Sequence, residues 1–276
     1  MNSKFKKKVL VIVGPTGVGK SALALNIAKE LHGEIVSTDS RLIYRGMDIG
    51  TDKPAKEALT IIPHHLIDIA NPDETWSLAE FNEDVEKTIE LVLQKGKLPI
   101  LVGGTGQYFR SLIEGWEIPE IKPNQEMRNA IENWGRELGA KELHRKLSIL
   151  DSTSGESIQS QNLRRTIRAL EVIFTTGSKF SELRTKKEPI YDFKVIGLSR
   201  EREELYKIID DRIEKMFEKG FIREVETLLS KGYSKDLPAM SAIGYREVME
   251  YLDGAMTLEE IKVIMKRKTR QYVRRQ

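Results

Sequence analysis

At 276 residues the chain has room for one large or two modest domains with a substantial core. Its 39% hydrophobic and 32% charged content is ordinary for a globular protein, and zero cysteines exclude disulfides, thiolate chemistry and cysteine-based zinc sites. No apolar run approaches the ~20 residues of a membrane span, and a net charge of +3 is too small by itself to point to nucleic acid. The basic start, Met1 to Lys8, leads into an apolar run and a glycine-rich loop rather than a signal-peptide pattern, so a cytoplasmic location is expected.

The first apolar run, Val9 to Val13, is followed by Gly14-Pro15-Thr16-Gly17-Val18-Gly19-Lys20-Ser21 and then by a helical pattern through Ala28. Strand, glycine-rich loop and helix in that order make a P-loop, a nucleotide- or diphosphate-binding turn of the kind found in ATP-binding proteins. Glycines let successive backbone N–H groups converge on an anion, and the helix N-terminus adds favourable partial charge. Lys20 is expected to reach the terminal phosphates and Ser21 to ligate Mg²⁺. A plain strand-to-helix turn would leave the Lys20-Ser21 pair unexplained.

Apolar runs at 8–13, 34–38, 66–69, 98–102 and 193–199 read as strands separated by helical patterns. The expected fold class is therefore α/β, a P-loop-type parallel sheet flanked by helices. Ligands bind beyond the carboxyl ends of such strands, so the polar residues there matter most. Asp39, just past the second run, fits a metal ligand, a general base or a helix N-cap equally well. His64 and His65 lack an evident third ligand and point to opposite sides of an extended segment, which favours structural hydrogen bonds over a metal site. Ser77-x-x-Glu80 opens a helix that Gly96 ends, with Leu78, Phe81, Val85, Ile89 and Val92 on one face. Thr257-x-x-Glu260 caps the last helix in the same way.

After the fourth run, Gly103-Gly104-Thr105 stands where ordinary P-loop NTPases carry an acid for Mg²⁺ or water. That departure argues against simple ATP hydrolysis. Pro119 and Pro123 mark a break into a helical stretch, giving an expected insertion domain at 119–185 within a catalytic core at 1–118 and 186–276. Arg212 to Val225 reads as two amphipathic helices broken at Gly220, and Ala242 to Glu247 has no evident role beyond packing. Basic clusters occur at Gln161 to Arg168 and in the C-terminal helix from Lys266 to Gln276. On charge alone such helices are usually solvated faces.

Taken together, several motifs resemble those of the bacterial tRNA dimethylallyltransferase (tRNA isopentenyltransferase) family. They are the P-loop, Asp39-Ser40-x-x-Ile43-Tyr44-Arg45-Gly46-Met47-Asp48-Ile49-Gly50-Thr51-x-Lys53-Pro54, His64-His65-Leu66-Ile67-Asp68 and Gly103-Gly104-Thr105-Gly106-x-Tyr108. Arg168-Ala169-Leu170-Glu171, Ala242 to Glu247, and Thr269-Arg270-Gln271-Tyr272 complete them in order. The resemblance implies transfer of a dimethylallyl group from dimethylallyl diphosphate to N6 of adenosine 37 in the tRNA anticodon loop, by a monomer without a membrane partner. It implies that Lys20, Ser21 and Mg²⁺ neutralise the departing diphosphate, that Asp39 accepts the amine proton and that Thr105 helps hold the adenine or the donor. It also places Asp39, Ser40, Arg41, Leu42, Thr105, Arg128, Gln161, Asn162, Leu163, Arg164 and Arg165 beside the tRNA. Arg41-Leu42 stands where many relatives carry another residue followed by Gln. An adenylate isopentenyltransferase would share the P-loop and the acid, a nucleotide or small-molecule kinase would share the P-loop and insertion, and a non-catalytic RNA-binding switch would make Asp39 dispensable.

Overall fold

The computed structural model describes residues 6–118, 121, 124–183 and 185–276; Pro119 and Pro123 lie outside them. The chain forms two compact units, Met1–Ile113 with Pro189–Gln276, and Glu114–Glu188.

The first unit is built on a sheet of five strands among the described residues: β1 (Lys7–Val13), β2 (Gly33–Ser37), β3 (His64–His65), β4 (Leu98–Val102) and β5 (Tyr191–Gly197). Their order is β3-β2-β4-β1-β5, every pair parallel, with Leu10 opposite Ile100 and Val9 opposite Phe193. Alternation along the strands sends side chains to two covered faces. Val9, Val11, Val36 and Leu101 pack with Phe81, Val85 and Ile89 of α3 (Leu78–Gln94) and with Tyr108, Phe109 and Leu112 of α4 (Gly106–Ile113). On the other face Ile12, Ile35, Ile100 and Val102 meet Ala24 and Ala28 of α1 (Lys20–Glu30). A short helix α2 (Lys56–Ile61) precedes β3. Both Ser77–Glu80 and Thr257–Glu260 form reciprocal capping boxes, and Gly96 turns the chain beyond α3 at φ 69°.

One strand differs from expectation. The apolar run at 66–69 is not a strand; β3 lies just before it, because Leu66 and Asp68 take φ of 60° and 56°, which extended pairing does not allow. The two histidines are thus the strand itself. His64 Nδ1 donates to the Ile62 carbonyl at 2.7 Å, and His65 Nε2 bonds Glu34 Oε2 at 2.7 Å. No group of three or more His, Cys, Asp or Glu among the described residues could hold a metal.

A second core in the same unit is helical. Here α9 (Arg202–Glu218), α10 (Phe221–Ser230), α11 (Tyr245–Leu252) and α12 (Leu258–Val273) enclose Ile209, Ile213, Phe221, Val225, Tyr245, Ile261 and Met265, together with Ile43, Tyr44 and Met47 from the segment after β2. Gly220, at φ 91°, separates α9 from α10.

The second unit is helical: α5 (Gln125–Leu138), α6 (Ala140–Leu150), α7 (Ser152–Ser157) and α8 (Leu163–Thr176) surround Ile131, Leu143, Leu147, Ile158, Ile167 and Leu170. Its ends pair through Glu117 N–H to Thr185 O and Lys187 N–H to Gly115 O. No helix of the described residues is long and apolar enough to cross a membrane.

Candidate active site

Because β1, β2 and β4 are adjacent and parallel, the loops that follow them meet at one edge of the sheet. The P-loop runs from Gly14 to Ser21 between β1 and α1. Gly17 and Gly19 take φ of 82° and 105°, values that residues with a Cβ rarely adopt. In this conformation Lys20 folds back and donates to the carbonyls of Gly14 and Pro15, both at 2.9 Å. Burial pushes the Lys20 ammonium down to about 8, with the Asp39 charge opposing the shift and the Arg212 charge adding to it. Asp39, Lys20 and Arg212 therefore share one electrostatic neighbourhood.

Asp39 is half-buried just beyond β2. One carboxylate oxygen accepts from Arg41 N–H at 2.9 Å, a local turn that fixes the side chain. Beside it, Ser40 N–H donates to Thr105 Oγ1 at 3.4 Å, so the loops after β2 and β4 touch. Close approach explains Gly103. A Cβ on Gly103 would lie 2.4 Å from Thr38 Oγ1 and 2.7 Å from the Thr38 backbone. Thr38 itself is fully buried, and its hydroxyl has no partner. The end of α12 also reaches this edge. Gln276 accepts from Thr16 N–H at 2.8 Å and donates to Gly104 O at 3.0 Å, while burial and then the Asp39 charge raise the Tyr272 phenol.

Arg212 is a member of the site that sequence reading missed. It lies on α9, and its Nη1 donates to Thr16 Oγ1 at 3.1 Å and to Asp52 Oδ2 at 3.2 Å. Its Nε is buried without a partner. A guanidinium held against a P-loop with an unused donor suits an anion. The sequence pattern reads as a helix starting at Arg212, whereas α9 begins ten residues earlier at Arg202, so Arg212 sits in its interior and its partners are non-local.

The remaining expected contacts fall in two places. In the first unit, Arg41 Nη1 donates to Pro238 O at 2.9 Å, and Leu42 O accepts from Asp68 N–H at 3.1 Å, so both help brace the loop. In the second unit, Asn162 caps α8 by accepting from Arg165 N–H at 3.2 Å. Gln161, Arg164 and Arg165 are exposed there, and Leu163 packs into the core of that unit. Arg128, on α5, bonds the fully buried Glu171 carboxylate at 2.9 Å.

The donor set fits Mg²⁺. Ser21, exposed at the first turn of α1, offers a hard oxygen beside the phosphate cradle, and Mg²⁺ is usually held by one or two protein oxygens with phosphates and waters completing the shell.

Fold and site define a P-loop α/β protein with Lys20 and Arg212 at the loop, a carboxylate nearby and no acid at the end of β4. A family model described as IPP transferase matches residues 42–276. The chain is 45% identical to a tRNA dimethylallyltransferase of Thermomicrobium roseum over 271 residues, 98% of this chain and 82% of that relative. A tRNA isopentenylpyrophosphate transferase from Bacillus halodurans aligns in structure with a TM-score of 0.71 at 41% identity, covering 98% of this chain and 86% of that one. A eukaryotic dimethylallyltransferase whose structure was solved acting on tRNA aligns with a TM-score of 0.83 at 29% identity, covering 98% and 68%. The chain belongs to the IPP transferase family.

Proposed function

We propose that this chain is a tRNA dimethylallyltransferase, moving a dimethylallyl group from dimethylallyl diphosphate to N6 of adenosine 37 in the anticodon loop and releasing diphosphate. The observation that carries this reading is the placing of Lys20 and Arg212 on the P-loop, through Gly14, Pro15 and Thr16, with the Asp39 charge acting on Lys20 and Gly103 to Thr105 where a hydrolase would place an acid. Two cations suit a diphosphate, and a single carboxylate suits a base.

In the proposed reaction the N6 lone pair attacks the allylic carbon, the carbon–oxygen bond to diphosphate breaks, and the N6 proton passes to Asp39. Lys20, Arg212 and the P-loop amides stabilise the negative charge gathering on the leaving group. Ser21 would hold Mg²⁺ together with the diphosphate; when bound, the ion supplies further neutralisation of that charge. The target adenine must leave its stack to reach such a site, which is least costly in a single-stranded loop. Arg41 and Thr105 stand beside Asp39 for the acceptor, and Gln161, Arg164 and Arg165 supply exposed polar and basic groups in the second unit.

The test is to incubate the protein with Mg²⁺, dimethylallyl diphosphate and unmodified anticodon stem-loop RNA, and to detect prenylated adenosine by mass spectrometry. Parallel reactions offer AMP as acceptor and ATP as donor. Prenylation of the stem-loop alone is expected. Prenylated AMP would favour the nucleotide enzyme, and ATP consumption without prenylation would favour a kinase.

A further inference from the structure

A tight turn at residues 48–52 joins the helical core to the phosphate cradle. On one side the Glu224 carboxylate of α10 accepts three successive backbone donors, Asp48 N at 3.0 Å, Ile49 N at 2.6 Å and Gly50 N at 3.1 Å. It also accepts from the buried Tyr245 hydroxyl at 2.6 Å. The turn is closed internally by Asp52 N–H to Ile49 O at 3.1 Å and Lys53 N–H to Asp48 O at 2.9 Å. Lys53, its side chain almost fully buried, adds bonds to Tyr44 O at 2.9 Å and to Asp68 Oδ1 at 2.5 Å. On the other side the turn ends at Asp52, whose carboxylate meets Arg212 at 3.2 Å, and Arg212 meets Thr16 of the P-loop at 3.1 Å.

We propose that Asp52 is a positioning residue for the donor diphosphate: anchored through its turn by Glu224, it holds the Arg212 guanidinium against the P-loop. The inference rests on the proposed donor chemistry and names residues outside the cradle that set its affinity.

Two effects of Asp52 oppose each other. Its charge repels a diphosphate, while its ion pair spares Arg212 the conformational freedom that binding would otherwise have to remove. Asp52 is 52% exposed, so water and salt screen its repulsion. Arg212 is only 21% exposed and carries a long, rotamer-rich side chain, so holding it in place counts for more. Orientation therefore wins, and removing the ion pair weakens diphosphate binding.

The experiment titrates inorganic pyrophosphate with Mg²⁺ into the full chain by calorimetry, using the unaltered protein, Asp52→Asn, Arg212→Lys and the double variant. Asparagine tolerates the φ of 56° at this position, so Asp52→Asn removes the charge without straining the turn. Expected is a loss of about fivefold or more in pyrophosphate affinity and a matching rise in donor KM, with kcat, RNA KM and Tm little changed. The double variant should bind no more weakly than Arg212→Lys alone, because Asp52 acts through Arg212. Glu224→Gln, which keeps one of two acceptor oxygens, should weaken pyrophosphate in the same direction. Equal or tighter binding by Asp52→Asn, or independent additive losses in the double variant, would overturn the inference and leave the proposed function standing. Failure of the unaltered protein to bind pyrophosphate would overturn both.

Discussion

Lys20 is the side chain whose charge is most finely balanced. With its ammonium pushed down to about 8 by burial, Lys20 begins to lose its positive charge just above neutrality. An anion favours the protonated form, so donor binding should be full below about pH 7 and weaken as pH rises through 8, by up to about tenfold per pH unit. The ligand's own ionisation also varies with pH. Comparison with Lys20→Arg isolates the lysine, because a guanidinium stays charged throughout this range. Pyrophosphate calorimetry from pH 6.5 to 9 should show a steeper loss of affinity in the unaltered protein than in the arginine variant. Parallel curves would remove Lys20 from the explanation.

Asp39 makes a different demand, because its carboxylate already serves a local turn through Arg41 N–H. An asparagine keeps that acceptor and loses the capacity to take a proton. Asp39→Asn should therefore fold and bind stem-loop RNA normally, while kcat falls by about 10²–10⁴-fold, the range for loss of a general base. If the carboxylate served only as a turn cap, the variant would retain most of its turnover.

At the scale of elements, α8 shows how one buried carboxylate organises a unit. Glu171 is fully buried and accepts from Arg168 at 2.8 Å, Arg128 at 2.9 Å and Asn124 N–H at 2.8 Å, which joins α8 to the start of α5. Burial alone would raise its carboxyl, but these bonds outweigh it and hold the group below the ordinary glutamate value. A lowered carboxylate contributes stability above its unfolded pKa, and that contribution fades as pH falls below about 4.5. Glu171→Gln leaves two arginines without their counter-charge and should cost about 3 kcal/mol in denaturant unfolding at pH 7, shrinking towards acid pH. Arg128 thus supplies one of the two counter-charges of Glu171 while its own side chain stays partly exposed.

The capping boxes at Ser77 and Thr257 were legible because both partners lie three residues apart. Likewise the P-loop declares itself in eight consecutive residues. The misplaced third strand was not legible, because its apolar run has strand composition, and only the positive φ at Leu66 and Asp68 shows that the backbone turns. Arg212, Asp52 and Glu224 were missed for a related reason. The contacts that link them to the 48–52 turn and the P-loop span 160 or more residues of chain, and nothing in local periodicity signals an interaction of that span.

For the whole molecule, donor chemistry and the exposed basic residues of α8 belong to different units. Lys20, Asp39, Arg212 and Thr105 all lie in the unit containing the sheet, whereas Arg164 and Arg165 lie exposed on the first turn of α8 in the other. If the second unit serves RNA and the first serves the donor, charge removal on α8 should separate the two affinities. Replacing Arg164 and Arg165 together by alanine should raise the stem-loop KM several-fold and lower the slope of log affinity against log salt by about 0.7 for each phosphate no longer neutralised. Pyrophosphate affinity and kcat at saturating RNA should stay as they were. Because neither arginine's side chain lies in the core formed by Ile131, Leu143, Leu147 and Leu170, the melting temperature should hold as well. An unchanged salt slope would mean that these residues are solvated surface and that the RNA is held elsewhere.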